Sequence, residues 1–353
     1  MKLKPFLQTF GGIAVVLTLF PFVAVDYWWI RIFDYPHVQL TILTLVAFLV
    51  YFFRFDIRSW QDYAFVTIIL GCFIFQLQKI YPYTPLSSYE VKENENYDQD
   101  SSISILVANV LQKNEEHEAL LDEILRKDPH FIVLTETNQR WINEVSKALT
   151  NYPYKVEVPL PNTYGMAVYS KYQLINTQVK FLVDDGIPSI HCILKLPSNQ
   201  KIEFHSINPT PPMPQHNPKS TERDAEMMMV AKMAKEAKLP VFVTGDFNDV
   251  AWSQTTQLFQ EVSGLLDPRI GRGFFNTFNV NSWLLRWPLD HLFVSEEFRL
   301  VEIDLGKDIH SDHFPIYAKL SFEPESSEAQ KPEPPTKEEL KTANEEILEA
   351  KKD

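Results

Sequence analysis

The chain has 353 residues and a net charge of −13. Its length allows one large domain or two smaller ones. The acidic balance disfavours tight, sequence-independent binding to nucleic acid, which runs on Lys and Arg neutralising phosphates; it leaves open a nuclease that holds its substrate weakly through cations. The two cysteines, Cys72 in an apolar segment and Cys192 in a strand-like run, imply no disulfide framework.

Three apolar segments come first. "FLQTFGGIAVVLTLFPFVAV" (6–25) has no charge over a bilayer-spanning length, and "VQLTILTLVAFLVYFF" (38–53) and "YAFVTIILGCFIFQLQ" (63–78) follow it after short charged loops. We read residues 1–80 as a membrane anchor with three transmembrane helices, since a cleaved leader fits poorly when two more such segments follow. Lys2 and Lys4 precede the first span, Arg54 and Arg58 separate the second from the third, and Arg31 is the single base between the first two. The excess of basic residues on the cytoplasmic side then predicts a multi-pass protein of the inner membrane with everything after residue 80 extracytoplasmic, although Lys79 sits on the wrong side. Trp28, Trp29 and Trp60 fall at the predicted interfaces, where amphipathic rings favour the headgroup level.

Residues 81–97, polar and rich in Pro, Ser and Asn, read as a linker. From 98 to 323 the pattern is that of an α/β domain. Short apolar runs such as "ISILVANV", "FIVLTET", "KIEFHSI", "PVFVTGDF" and "PIYAKLSF" alternate with amphipathic stretches such as "EEHEALLDEILRK" and "TERDAEMMMVAKMAKEA". Continuously apolar strands suggest sheets buried on both faces. The tail, 324–353, is almost wholly charged or polar and is expected to be disordered. Thr336 and Glu339 nevertheless form a capping-box pattern that allows a lone helix near 337–351.

Polar residues recur where the apolar strands stop or begin: Asn109, Glu136, His205 with Asn208, Asp246 with Asn248, Asp290 with His291, and Ser311-Asp312-His313. Each has a bland reading as a turn, cap or core residue. Together they are the residue types that bind hard cations and move protons. Mg²⁺ takes one or two carboxylates plus substrate phosphate, and an Asp–His pair supplies a general base. Asp249, next to Asn248, reads as a plain turn residue. The chain has no zinc-spaced Cys/His cluster, no Walker loop and no G-x-S-x-G elbow.

The ordered set "ILVANV", "DPHFIVLTET", "GMAVYSKYQL", "FHSINPTPP", "VTGDFND", "PLDHLFVS" and "SDHFPI" resembles the endonuclease/exonuclease/phosphatase (DNase I-like) superfamily, in a membrane-anchored bacterial form. The resemblance implies a four-layer α/β/β/α sandwich and a metal-dependent phosphoester hydrolase using Mg²⁺, or Mn²⁺ in its place. It implies Glu136, Asn109 and Asp312 as metal ligands, and His313 as the base oriented by Asp290. Asp246 would position the nucleophile, and in some family mechanisms takes its proton, with Asn248, His205 and Asn208 on the phosphate. The Pro-rich loop "NPTPPMPQHNP" departs from the family pattern, and the substrate class stays open among nucleic acid, phospholipid and small phosphodiesters. Besides the substrate, the one partner expected is the lipid bilayer, through residues 1–80, and no protein partner is predicted. The alternative is a catalytically silent membrane scaffold that binds partners with its charged tail.

Overall fold

The computed structural model describes residues 3–22, 26–214 and 217–352. Lys2, the end of the first expected span (23–25) and part of the Pro-rich loop (215–216) lie outside them.

Two sheets pack face to face. The first has six strands: β1 (Ser102–Asn109), β2 (Phe131–Thr135), β3 (Tyr154–Val158), β4 (Met166–Ser170), β10 (Phe298–Leu305) and β11 (Ile316–Phe322), in the order β10-β11-β1-β2-β4-β3. The second has five, in chain order: β5 (Gln173–Phe181), β6 (Pro188–Lys195), β7 (Lys201–Ile207), β8 (Val241–Asp246) and β9 (Asp290–Val294). The second sheet is thus one continuous insertion between β4 and β10. Each sheet contains one parallel pair, β1 with β2 and β7 with β8. A parallel pair needs a crossover. Helices α5 (Glu118–Lys127) and α7 (Thr221–Glu236) supply these two.

Strand alternation divides the apolar residues into layers. Ile103, Ile105, Val107, Phe131, Phe204 and Phe242 fill the space between the sheets. Phe131 meets Phe204 edge-on with ring centroids 4.6 Å apart, and burying each such ring is worth roughly 2–3 kcal/mol. The opposite parity, Leu106 and Ala108, turns outward onto α5 and α6 (Gln139–Ala148). On the other side, Ile207, Val243 and Phe293 pack under α7 and α8 (Gln254–Ser263). The result is a mixed α/β sandwich with helices on both outer faces.

The structure departs from two expectations. Segment 81–97 is tied to the domain: Val91 is fully buried between the sheets, and Lys92 and Asn94 exchange backbone hydrogen bonds with Leu300. The tail is ordered as well. Helix α9 (Lys337–Ala350) has both halves of the capping box, Thr336 and Glu339, in place. It lays Leu340, Ala343 and Ile347 on the cluster under α7. Composition misled in both cases, because a few apolar residues at the right spacing bury a segment that is polar on average.

At the N-terminus, α1 (Leu3–Leu19), α3 (His37–Tyr51) and α4 (Trp60–Ile80) form a bundle; α2 (Trp28–Arg31) lies in the connector. Two stretches, 37–54 and 60–83, are long and apolar enough to cross a membrane, whereas α1 is shorter at 17 residues. Ile13, Val16, Ile42, Leu49 and Ile68 point outward and are more than half exposed. Inside, Gln76 bonds Thr18 and Thr44. The end of the bundle nearest α4's C-terminus meets the sandwich. Trp252 Nε1 donates to Asp34 O at 2.8 Å, Tyr35 Oη to Asn248 O at 3.0 Å, and Tyr83 Oη to Ala251 O at 2.9 Å.

Candidate active site

The parallel strands of both sheets end at the same edge of the sandwich, and their ends carry the polar residues. Asn109 closes β1 and is buried. Its Oδ1 accepts from Leu111 N at 2.9 Å, which fixes the amide's orientation. Its Nδ2 therefore points two ways, to Glu136 Oε1 at 3.0 Å in its own sheet and to Asp246 Oδ2 at 2.9 Å in the other. One carboxamide joins the two sheets at the site.

Glu136 follows β2 in left-handed backbone (φ 61), and Gln112 N donates to its second oxygen at 3.2 Å. Gly245 is dictated by packing: a Cβ there would lie 2.0 Å from Ile207 O. This close approach of β8 to β7 delivers Asp246 to the edge. Asp246 Oδ1 accepts from Asn248 N at 3.1 Å, an Asx turn that holds Asn248 at φ 51. Phe247 between them drops into the outer core.

On the facing side, Ser311 Oγ donates to Asn109 O at 2.7 Å and accepts from His313 N at 3.1 Å. This brings "SDHF" against β1. His313 Nδ1 lies 2.7 Å from Asp290 Oδ2, and its Nε2 lies 3.8 Å from Asp246 Oδ2. The imidazole is buried between two carboxylates. Burial opposes its charge, but Asp290 and then Asp246 overcome it and raise the pKa to about 10. Asp246 moves the other way from its usual range, lifted to about 7 by burial against the pull of His313. Burial also raises Glu136, with neighbouring Asp312 adding to the shift.

The donors fit a hard divalent cation. Asp312 Oδ1 is buried with no hydrogen-bond partner, and it and Glu136 are two acids whose charges repel, the ligand type such an ion takes. Asn109, expected as a third ligand, instead turns its Nδ2 toward Glu136 and braces it. A second grouping, Asp246, Asp290 and His313, places its ligand atoms within 4.8 Å of one another. There the 2.7 Å bond already occupies His313 Nδ1, so we read that cluster as acid–base machinery.

The structure gathers Asn109, Glu136, Asp246, Asp290, Asp312 and His313 at this edge. Asn248 and Asn208 lie alongside, but Asn248 Nδ2 is spent on Asn208 Oδ1 (3.3 Å) and Pro209 O (3.0 Å). His205 is not part of the group. Its neighbour Phe204 faces the inter-sheet core, so His205 takes the opposite face, where its Nδ1 lies 2.8 Å from His191 Nδ1 and its Nε2 3.4 Å from Glu203. Burial lowers its pKa to about 4.

Asp249 is a buried hub and not a plain turn residue. Its carboxylate accepts from Ser253 and Thr256 and pairs with Arg223 at 3.4 Å. Arg223, also buried, bonds Asp224 Oδ1 at 2.8 Å and Asn248 O at 3.0 Å. Neither Arg223 nor Tyr35, which share Asn248 O, stood out in the sequence. Their only signal was position in otherwise ordinary helical and connecting segments.

This fold and site are those of a phosphoester hydrolase class, and a sequence model described as "Endonuclease/Exonuclease/phosphatase family" matches residues 106–313. The chain belongs to that family. The fold is also that of solved structures at low identity. D. rerio TDP2 complexed with single strand DNA product is 16% identical with a TM-score of 0.53, over 63% of this chain and 99% of that one. The human nocturnin catalytic domain with bound sulfate is 17% identical with a TM-score of 0.51, over 64% and 96%. A family member from Bacteroides thetaiotaomicron is 18% identical with a TM-score of 0.51, over 63% and 98%. No curated protein is a match for the chain.

Proposed function

We propose that the protein is a membrane-anchored, Mg²⁺-dependent phosphodiesterase that hydrolyses its substrate by direct attack of water. The observation that carries this reading is the His313 imidazole buried between Asp290 and Asp246, next to the Glu136 and Asp312 acids, the first of them braced by Asn109. Glu136 and Asp312 would hold the cation, with Asn109 bracing Glu136 through its Nδ2, and the cation would supply charge stabilisation to a phosphoryl oxygen. The two flanking carboxylates favour the charged form of His313, and in this reading the water's proton is assigned to Asp246. Water attacks phosphorus as its proton passes to Asp246, and the bond to the leaving oxygen breaks. His313, oriented by Asp290, stabilises the charge that develops. Asn248 and Asn208 brace the rim. The single strand DNA product in the D. rerio structure supports a phosphodiester substrate, while a net charge of −13 argues against a chain built to grip nucleic acid.

The anchor is the bundle of α1, α3 and α4. Its outward apolar faces support three crossings, with the domain at residues 98–323 extracytoplasmic. A reporter fused after the last residue should read extracytoplasmic, and a cytoplasmic signal would reverse the orientation.

The enzymatic reading is tested with bis(p-nitrophenyl) phosphate and full-length protein in detergent, with Mg²⁺ and with EDTA. Turnover should need the metal, disappear in Glu136→Ala and His313→Ala, and survive Lys171→Ala, whose side chain pairs with remote Asp128. Negligible turnover in both conditions would sink the reading and favour a silent scaffold.

A further inference from the structure

One exposed feature belongs neither to the core nor to the site. In loop 279–286, Trp283 is 86% exposed, Leu284 53% and Leu285 49%. Three large apolar side chains in a row at a loop tip need a reason, because water gains nothing from them. The loop's roots lie in the site. Val280 N donates to Asp312 O at 2.9 Å, and the Phe278 ring lies 5.0 Å from that of His313. Its tip lies at the membrane bundle. Gln39, in the first turn of α3, donates to Leu284 O at 2.6 Å, and the Tyr35 ring sits 5.5 Å from Trp287. The apolar tip therefore stands level with the point where α3 leaves the domain. The surrounding charge has a sign. Between Asp267 and Asp290 this acidic chain carries three arginines and no acid. Arg269 is paired with Asp267, whereas half-buried Arg286 bonds the carbonyls of Ser282 and Val280, lies over the Phe314 ring and pairs with no acid among the described residues.

We propose that loop 279–286 seats in the bilayer that holds the anchor, with Arg286 toward anionic headgroups, and that the site takes phosphodiesters carried by lipids of that bilayer. The substrate half of this inference rests on the hydrolase reading above, and the seating half on the anchor reading alone. A bilayer suits the tip because aromatic and aliphatic side chains enter the interface while a nearby arginine meets the headgroups. A site fixed beside that surface meets lipid-borne phosphate without diffusion from bulk water.

The test uses the full chain in phosphatidylcholine vesicles containing phosphatidylglycerol. Leu284→Cys is labelled with an environment-sensitive dye; the native Cys72 and Cys192 are buried. The dye should read an apolar setting and be quenched by brominated lipid. A dye in water, or one shielded but not quenched by bromine as in a protein contact, overturns the seating loop. Turnover is then compared on bis(p-nitrophenyl) phosphate and on a nitrophenyl phosphodiester carried by diacylglycerol in the vesicles. In the triple variant Trp283→Ser/Leu284→Ser/Leu285→Ser, lipid-borne turnover should fall at least about tenfold, as loss of apolar insertion implies, with soluble turnover unchanged. Equal turnover of the lipid substrate by variant and wild type overturns the substrate half. A quenched dye with no turnover of either substrate overturns the hydrolase reading and leaves the seating loop standing.

Discussion

Replacing Arg223 by Met should unfold more than a helix surface. The guanidinium is 2% exposed, and its partners Asp224 and Asp249 are 4% and 2% exposed. At 3.4 Å and an effective dielectric of about 20, one such pair is worth about 5 kcal/mol before desolvation is counted. Met restores volume but leaves Asp249 with its hydroxyl and amide donors alone. Asp224 loses two guanidinium bonds, at 2.9 and 2.8 Å, and keeps Arg31 at 3.8 Å, so the cost is shared between Asp224 and Asp249. Breaking a buried pair from one side costs roughly 3–5 kcal/mol. Denaturant unfolding of the detergent-solubilised chain should show that loss in Arg223→Met, and Arg223→Met/Asp249→Asn should recover at least about 1 kcal/mol of it through the coupling of the two sites. Turnover should also fall in variant protein that remains folded, because Asn248 O loses one of its two donors. A single-variant loss within about 1 kcal/mol, the range of exposed pairs, would refute the argument.

Three further outcomes are expected. Glu226 is buried in α7 with Oε1 unpartnered, and burial lifts its pKa to about 8. The folded chain keeps a proton that the unfolded chain gives up, so stability should decline from about pH 4.5 to about pH 8 by at most ~5 kcal/mol. Thermal melts of Glu226→Gln should decline less steeply over that window, with Asp34, Glu90 and Asp246 still contributing, and parallel slopes in both proteins would contradict it. Asp290→Asn should lower kcat by about 10²–10³, the range for losing one group that stabilises developing charge, with melting temperature as the control for folding. His205→Gln should keep kcat within about a factor of five, since a residue acting only through packing lacks transition-state contact; a hundredfold drop would return His205 to the site.

Much of this site was legible because apolar strand runs must stop and start at polar residues: Asn109, Glu136 and Asp246 sit where runs stop, and Asp290 and His313 where runs begin. His205 was misplaced for a reason the sequence also contained. In "IEFHSI" the two-residue period that sends Phe204 inward sends His205 to the opposite face. The Arg223–Asp249 pair was not legible. Its members are 26 residues apart, and charged residues are ordinarily read as solvated until a structure shows them enclosed. The tail failed for the converse reason, since Leu340, Ala343 and Ile347 share one helical face within a segment of low average hydrophobicity.

The amide of Asn109 has a consequence for how activity is lost. It reaches Glu136 in one sheet and Asp246 in the other, and the second sheet is a single uninterrupted length of chain inserted into the first. Neither half owns a complete active centre. Two fragments divided between β4 and β5 would each lack it, and function would return only on their reassembly. During gradual heating, catalysis should therefore disappear as soon as the sheets lose registry, while both still retain their strands.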